Sequence, residues 1–323
     1  MTLCNCMKCT KNAKRAIIAP MDVVVILNPN AGSAEEMDNL RQRLARQPSL
    51  EVWETSGPGD ARKLARRAVE GRCRTVVAAG GDGTLNEVLN GLAADFTCSR
   101  LGILPLGTGN DFVRSIGIPD DPEEALDVIE AGHARRVDVA RADFGGGGGV
   151  RHFLNMSAGG FSNAVGEAMD SETKKRWGGL AYALAAVRVL GELEPYETRI
   201  VLDRNDVLEM PLYLLLVANA RYVASGVPAA PSARLDDGRL ELVAFPEMEM
   251  GDIAAMIPRT LLGMHEGSER VTVRRARHIE IYSDPPLPLN VDGEACGDTP
   301  VTFETLPGVL EVLAPPRENP EDA

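Results

Sequence analysis

A glycine-rich segment with one acidic residue, Gly80-Gly81-Asp82-Gly83-Thr84, has residue types suited to chemistry on phosphate groups. It follows the apolar residues 75–79 and precedes a helical pattern that ends near Leu92. Glycines let the backbone approach a ligand closely, and the N-terminus of a helix offers unpaired N–H groups to an anion. An aspartate beside a phosphate is repulsive unless it meets a metal ion or the attacking hydroxyl. The segment therefore predicts a phosphate-binding loop with a catalytic carboxylate at Asp82, although a tight turn alone also favours glycine.

Three further polar turns follow strand-like segments in the first half of the chain. Residues 23–27 lead into the first turn, residues 51–54 into the second, and residues 101–105 into the third. The turns contain Asn28-Pro29-Asn30-Ala31-Gly32, Thr55, and Gly107-Thr108-Gly109-Asn110-Asp111. Strands that alternate with helices predict an open, mostly parallel α/β sheet, whose loops bind ligands at one edge. Each turn alone is ordinary, but four turns at one edge indicate a nucleotide site.

The second half of the chain is predicted to be mostly β. Residues 137–144 and 150–156 form a predicted hairpin around the glycine run 145–149. Further strands are predicted at residues 197–202, 213–219, 240–245, 271–275, 278–282 and 308–313, and helices near 180–190 and 253–262. We expect an α/β nucleotide-binding domain over residues 21–136 and a sandwich-like β domain over residues 137–314. Residues 1–20 and 315–323 are expected to be disordered, and residues 1–20 are also expected to be dispensable, with Met21 a plausible start.

Composition limits the classes of partner. The net charge of −13 at pH 7 disfavours a nucleic-acid-binding protein and requires any contact with an anionic membrane to use a local basic patch. The sequence has no apolar run of about 18 residues, so we expect a cytoplasmic protein that is at most peripheral at the inner face of the membrane. Lys174, Lys175 and Arg176 begin the segment expected to contact that membrane; a packing helix is the alternative. A metal site at the cysteines near the N-terminus, and a homodimer, remain open.

The turns together resemble the catalytic domain of diacylglycerol and sphingosine kinases, and the bacterial soluble lipid kinases in particular. The Gly80 to Thr84 element alone is shared with NAD kinases, whereas its combination with the Asn28 and Thr108 turns is more specific. No P-loop, dinucleotide-binding or protein-kinase motif set is present. The resemblance continues at Asn155 to Phe161, Asn219-Ala220, Ala230-Pro231, Asp236-Asp237-Gly238 and Asp292-Gly293-Glu294.

The resemblance implies roles for individual residues. ATP would contact Asn28, Pro29, Asn30, Ala31, Gly32, Thr55, Gly80, Gly81, Asp82, Gly83, Thr84, Leu85, Asn86 and Thr108. Asp82 and Asp111 would belong to the polar network around the phosphates and Mg²⁺, and Glu294 would be the general base. A second, structural Mg²⁺ would bind the Asp237 carboxylate and the carbonyls of Arg234 and Arg239. Without the resemblance, the Asp237 and Glu294 segments would be interpreted as plain turns.

The reaction implied by the resemblance is transfer of the ATP γ-phosphoryl group to a lipid hydroxyl, with diacylglycerol as the first choice of acceptor. A sphingoid base or a glycerolipid headgroup is the next choice, followed by an NAD kinase and then a nucleotide-binding regulator without catalytic activity. The family often has three glycines where this chain has Ala224-Ser225-Gly226, which bears on the shape of the acceptor pocket.

Overall fold

The structure is a computed structural model that describes residues 22–47, 50–145, 148–160 and 194–317. Its first part contains the predicted parallel sheet, with neighbouring strands in the order β4-β3-β1-β2. These strands are β1 (Val23–Leu27), β2 (Leu50–Glu54), β3 (Thr75–Gly80) and β4 (Arg100–Pro105). The helices are α1 (Ala34–Leu44), α2 (Asp60–Glu70), α3 (Asp82–Leu92), α4 (Asp111–Ile116) and α5 (Pro122–Ala131). Because β1, β3 and β4 are apolar and almost entirely buried, they match strands covered on both faces.

The rest of the described chain is mostly β. Its strands are β5 (Ala134–Asp143), β6 (Val150–Phe153), β7 (Met156–Gly160), β8 (Tyr196–Leu202), β9 (Asp206–Ala218), β10 (Tyr222–Val223), β11 (Val227–Pro228), β12 (Leu240–Pro246), β13 (Thr272–Ala276), β14 (His278–Asp284), β15 (Pro288–Val291), β16 (Glu294–Asp298) and β17 (Val301–Leu313), and its helix is α6 (Met250–Leu261). The predicted hairpin is confirmed as β5 and β6, which pair antiparallel, but its second strand ends at Phe153 and not at residue 156. Residues 1–21, the basic cluster 174–176, the predicted helix 180–190 and residues 318–323 lie outside the described residues.

The last strand, β17, joins the two parts into one hydrogen-bonded sheet. Val312 pairs in parallel with Leu101 of β4, whereas most of β17 runs antiparallel to β5. The strand is longer than predicted because Pro307 and Gly308, which resemble a boundary in the sequence, form a bulge inside it. The predicted domain boundary at residue 136 falls within β5.

The β-rich part is packed on both faces of its central strands. Along β9, Leu215 and Val217 belong to one apolar cluster while Leu216 and Ala218 belong to another. This alternation follows from the two-residue period of a strand. Among the described helices, none is long and apolar enough to cross a bilayer.

Candidate active site

The parallel pairing of β1 to β4 brings the four predicted turns to the same edge of the sheet. Backbone hydrogen bonds extend from the strands into the turns: Asn28 N donates to Ala79 O at 2.9 Å, and Leu106 N donates to Gly80 O at 3.0 Å. Thr55 N donates to Leu27 O at 2.9 Å. The predicted convergence of the turns is therefore present, in the order Thr108, Gly80, Asn28 and Thr55 along the edge.

Glycine is required in these turns because the turns pack against each other. A Cβ atom at Gly107 would lie 2.6 Å from the Cα of Gly81, and one at Gly80 would lie 2.4 Å from Oγ1 of Thr84. Asn28 Nδ2 donates to that same Thr84 Oγ1 at 3.2 Å, which ties the first turn to α3. Helix α3 begins without a side-chain cap, so its first N–H groups remain available to an anion.

Asp82 and Asp111 lie beside each other where the Gly80 and Thr108 turns meet. The backbone N–H of Asp111 donates to Asp82 Oδ1 at 3.1 Å. A Cβ atom at Gly109 would lie 2.5 Å from Asp82 Oδ2, so only glycine leaves room for this carboxylate. Burial raises the pKa of both carboxyl groups above the usual range, and the charge of Asp82 raises the pKa of Asp111 further. Two predicted site carboxylates thus share one partly dehydrated pocket.

The Asp111 side chain also holds a turn from the β-rich part, residues 224–226. Its carboxylate accepts hydrogen bonds from Ser225 N at 3.2 Å and Gly226 N at 2.7 Å. The φ angles of Ala224, Ser225 and Gly226 are 52°, 67° and 101°. Such angles are costly for alanine and serine, so the turn depends on outside contacts. Asp111, predicted only as part of the phosphate and Mg²⁺ network, therefore also positions the 224–226 turn beside Asp82.

A second contact between the two parts is made by Asn86, the fifth residue of α3. Asn86 Nδ2 donates to Asp292 Oδ2 at 2.9 Å and to His152 O at 3.2 Å. One turn later, Asn90 Nδ2 donates to the same His152 carbonyl at 2.9 Å, and Asn90 Oδ1 accepts from His152 N at 3.0 Å. The Asn86 side chain, predicted to contact ATP, is thus directed to the β-rich part.

Asp292 lies in the turn between β15 and β16, and its carboxylate faces inward although part of the residue is exposed. Besides Asn86 it accepts hydrogen bonds from Asn155 N at 3.3 Å and Met156 N at 3.1 Å. Loss of contact with water raises its pKa to about 6, and the charge of Asp82 adds to this increase. Two residues later Glu294 begins β16, with an exposed side chain. The anchored Asp292 therefore fixes the hairpin that contains the predicted general base.

The other predicted nucleotide contacts differ in accessibility. Asn30, Gly32, Gly83 and Thr108 are exposed at the sheet edge, and Asn28, Pro29, Ala31 and Thr55 are half-buried. Leu85, in contrast, is 6% exposed and packs in the core of the first part. The Leu85 side chain therefore packs α3 against the apolar core.

The predicted metal turn lies between β11 and β12. Asp237 is half-buried, and its Oδ1 accepts a hydrogen bond from Arg239 N at 2.9 Å. Asp138, which is buried in β5, stabilises this turn because its carboxylate accepts a hydrogen bond from Gly238 N at 2.6 Å. Among the described residues no three acidic, His or Cys side chains gather as a metal cluster. One carboxylate with backbone carbonyls of Arg234 and Arg239 still supplies the oxygen donors that Mg²⁺ prefers, so the donor chemistry fits.

Sequence reasoning missed three side chains that shape the site: Glu87, Asn90 and Asp138. Glu87 accepts hydrogen bonds from Gly59 N at 2.7 Å and Ala61 N at 3.0 Å, and so fixes the turn that follows Thr55. The sequence does contain a signal for Asn90, because polar residues occur among the apolar positions of α3. Asn86 and Asn90 are four residues apart on this helix and follow Leu85 and Leu89 directly. Asp138 similarly interrupts an apolar stretch of β5.

We predict that Asp111→Asn loosens the 224–226 turn. Asparagine retains one acceptor oxygen, so one of the two backbone amides bound by Asp111 loses its partner. Hydrogen exchange at the backbone amides of residues 222–228 should therefore become roughly tenfold faster. Hydrogen exchange followed by mass spectrometry measures this change. Asp120→Asn is the matched control, because it removes an exposed carboxylate that pairs with Arg114, the cation that also contacts Asp111. Unchanged exchange in Asp111→Asn would contradict the role given to this side chain.

Comparison with known protein families matches the α/β part and the β-rich part of the chain separately. Residues 22–142 match the diacylglycerol kinase catalytic domain, and residues 156–314 match the YegS C-terminal NAD kinase beta sandwich-like domain. A curated diacylglycerol kinase from Staphylococcus aureus (strain MRSA252) is 32% identical over 295 residues, which cover 90% of this chain and 91% of the relative.

Solved structures show the same fold. A diacylglycerol kinase from Bacillus anthracis str. Sterne is 27% identical with a TM-score of 0.70, covering 92% of this chain and 97% of that one. A provisionally assigned diacylglycerol kinase from the same organism is 30% identical with a TM-score of 0.79, covering 92% and 96%. Yeast NADH kinase, 14% identical with a TM-score of 0.52, covers 92% and 84% and shares the fold alone. The predicted fold class and family are thus confirmed, and the chain belongs to the bacterial diacylglycerol kinase family of lipid kinases.

Proposed function

We propose that this lipid kinase transfers the γ-phosphoryl group of ATP to the free hydroxyl of diacylglycerol, forming phosphatidic acid. The observation that supports this most is the pairing of two functional elements through Asn86 and Asp292. The first element is Asp82 at the uncapped start of α3, and the second is the hairpin that presents Glu294. One side can hold a phosphate chain while the other meets an acceptor hydroxyl.

The nucleotide side would act through positioning and charge. The first N–H groups of α3 and the glycine turns would hold the phosphates, while exposed Asn30 and Thr108 are accessible to the nucleotide. Asp82 and Asp111 would hold Mg²⁺, which when bound would neutralise charge on the phosphates. Asp237 with the carbonyls of Arg234 and Arg239 would hold the second, structural Mg²⁺.

The acceptor side requires a group that takes the hydroxyl proton. In the β15–β16 hairpin the Asp292 carboxylate is occupied by several N–H donors, whereas the Glu294 side chain is exposed. Glu294, two residues after Asp292, is therefore accessible to a substrate, and it would accept the proton as the new bond to phosphorus forms.

Phosphorylation assays with labelled ATP and Mg²⁺ test the proposal. Parallel reactions contain diacylglycerol, a sphingoid base, a glycerolipid with a headgroup hydroxyl, or NAD, and Asp82→Ala is the inactive control. We expect label in phosphatidic acid and a loss of about 10² to 10⁴ in rate for the variant, without loss of fold. Label in a different acceptor would replace diacylglycerol, and ATP binding without turnover on any acceptor would support a regulator instead. An Asp82→Ala rate above half of the wild-type value would show that the site is wrongly assigned.

Glu294→Gln should lower turnover far more than it lowers ATP affinity, because the side chain lies on the acceptor side. We expect turnover to fall by about 10² to 10⁴ while ATP binding changes less than about twofold. Asp298→Asn at the other end of β16 is the control, since it neutralises another exposed carboxylate of the same strand. Steady-state kinetics and calorimetric ATP titration separate the two effects. Normal turnover at saturating ATP, with weak ATP binding, would exclude the proposed role of Glu294.

A further inference from the structure

Two apolar side chains project into solvent from the turn that ends α6. Leu262 is 70% exposed and Met264 is 64% exposed, whereas the other large apolar residues exposed in the described part of the chain reach at most 43%. Because they are neighbours in one short turn, they form a joint apolar surface, which we call the 262–264 turn. Exposed apolar side chains that occur together indicate a contact surface more often than single ones do.

The exposure of this turn is imposed by its surroundings. Met264 N donates to Arg259 O at 2.7 Å and Gly263 N donates to Thr260 O at 3.1 Å, so the backbone closes on the end of the helix. Gly263 has a φ of 69°, and its Cβ position would be 3.1 Å from ring atoms of Pro228 and Pro231. The inner side of the turn is thus fixed, and Leu262 and Met264 remain on the outside.

The next residue fixes the turn from its C-terminal side. His265 is fully buried, its Nε2 lies 3.0 Å from Ala229 O, and its ring stacks on Phe245 with a centroid distance of 5.8 Å. The 262–264 turn is therefore attached to residues 228–231 on both flanks.

The same segment leads directly to the candidate active site. Pro228 belongs to β11, which pairs with β10. The connection between these two strands is the 224–226 turn, whose amides are held by Asp111 beside Asp82. The exposed apolar turn and the catalytic carboxylates are consequently linked by one short, hydrogen-bonded hairpin.

The outward face of α6 continues the apolar surface. Ala255, Pro258, Arg259 and Leu262 are exposed and follow the i, i+3, i+4, i+7 spacing of one helix face. Arg259 is the one charged residue among these four, and Asp252, one turn earlier at i−3 from Ala255, forms an ion pair with Arg270 that balances its charge. The whole chain has a net charge of −13. An apolar face with a positive charge is complementary to the surface of an anionic bilayer.

We propose that the 262–264 turn and the outward face of α6 contact an anionic lipid bilayer and bring the 224–226 turn over the acceptor. The inference rests on the proposed function, because only an acceptor that resides in a bilayer requires this contact. It names a different surface from the basic segment at residues 174–176.

Vesicle co-sedimentation of the full chain tests the contact. The vesicles contain phosphatidylcholine and phosphatidylglycerol, and the double variant Leu262→Gln/Met264→Gln should partition about tenfold less than wild type, because apolar area is lost from the contact. Val52→Gln/Val207→Gln is the matched control, since it also replaces two exposed apolar side chains, on β2 and β9. Thermal unfolding should be nearly unchanged in both variants, because the replaced side chains are exposed.

Two activity measurements separate this inference from the proposed function. The double variant should phosphorylate a water-soluble short-chain diacylglycerol at the wild-type rate and phosphorylate vesicle-embedded diacylglycerol about tenfold more slowly. If the wild-type protein phosphorylated no diacylglycerol, the proposed function would be wrong, while co-sedimentation would still test the contact. The inference would be overturned if the double variant bound vesicles as well as the wild-type protein does, or if the control variant lost as much vesicle binding as the double variant. So would a change from dimer to monomer with unchanged vesicle binding, which would assign the surface to a second copy of the chain.

Discussion

The Asp292 carboxylate is surrounded by N–H donors that come from both parts of the molecule. Asn86 of α3 donates to one oxygen, and the amides of Asn155 and Met156 donate to the other. A donor left without its acceptor in such a place costs about 1–3 kcal/mol, so the set is stable only when α3, residues 154–156 and the β15–β16 hairpin are all in position. This interaction fixes Glu294 relative to the start of α3. The proposed phosphoryl transfer depends on that relation.

A similar carboxylate contact operates at the neighbouring turn. Asp111 binds two amides of the 224–226 turn while its own N–H donates to Asp82. The two left-handed non-glycine residues of that turn are unfavourable in isolation, and the hydrogen bonds to Asp111 offset part of that cost. In both places an acidic residue that sequence reasoning assigned to chemistry, or to a turn, also positions an element from the other half of the chain.

The sequence was sufficient for features that depend on local pattern. Residues 75–79 and the glycines after them predicted β3 and the start of α3, because apolar runs and tight turns have local signatures. The pattern could not reveal the contact between Asn86 and Asp292, which are 206 residues apart. For the same reason Asp292 resembled an ordinary hairpin residue, and the positioning contact of Asn86 was not foreseen beside its predicted contact with ATP. The bulge of β17 was missed because Gly308 is stabilised there by Asp138, a partner 170 residues away.

The most direct test of this account is a double-variant cycle between Asn86→Ala and Glu294→Gln, with turnover measured at saturating ATP. If Asn86 acts by holding the hairpin that presents Glu294, Asn86→Ala should lower turnover about tenfold in the wild-type background and less than about twofold in the Glu294→Gln background. ATP affinity should change little in either background. Equal losses of turnover in both backgrounds, or a large loss of ATP affinity in both, would contradict the account and return Asn86 to the role of a nucleotide ligand.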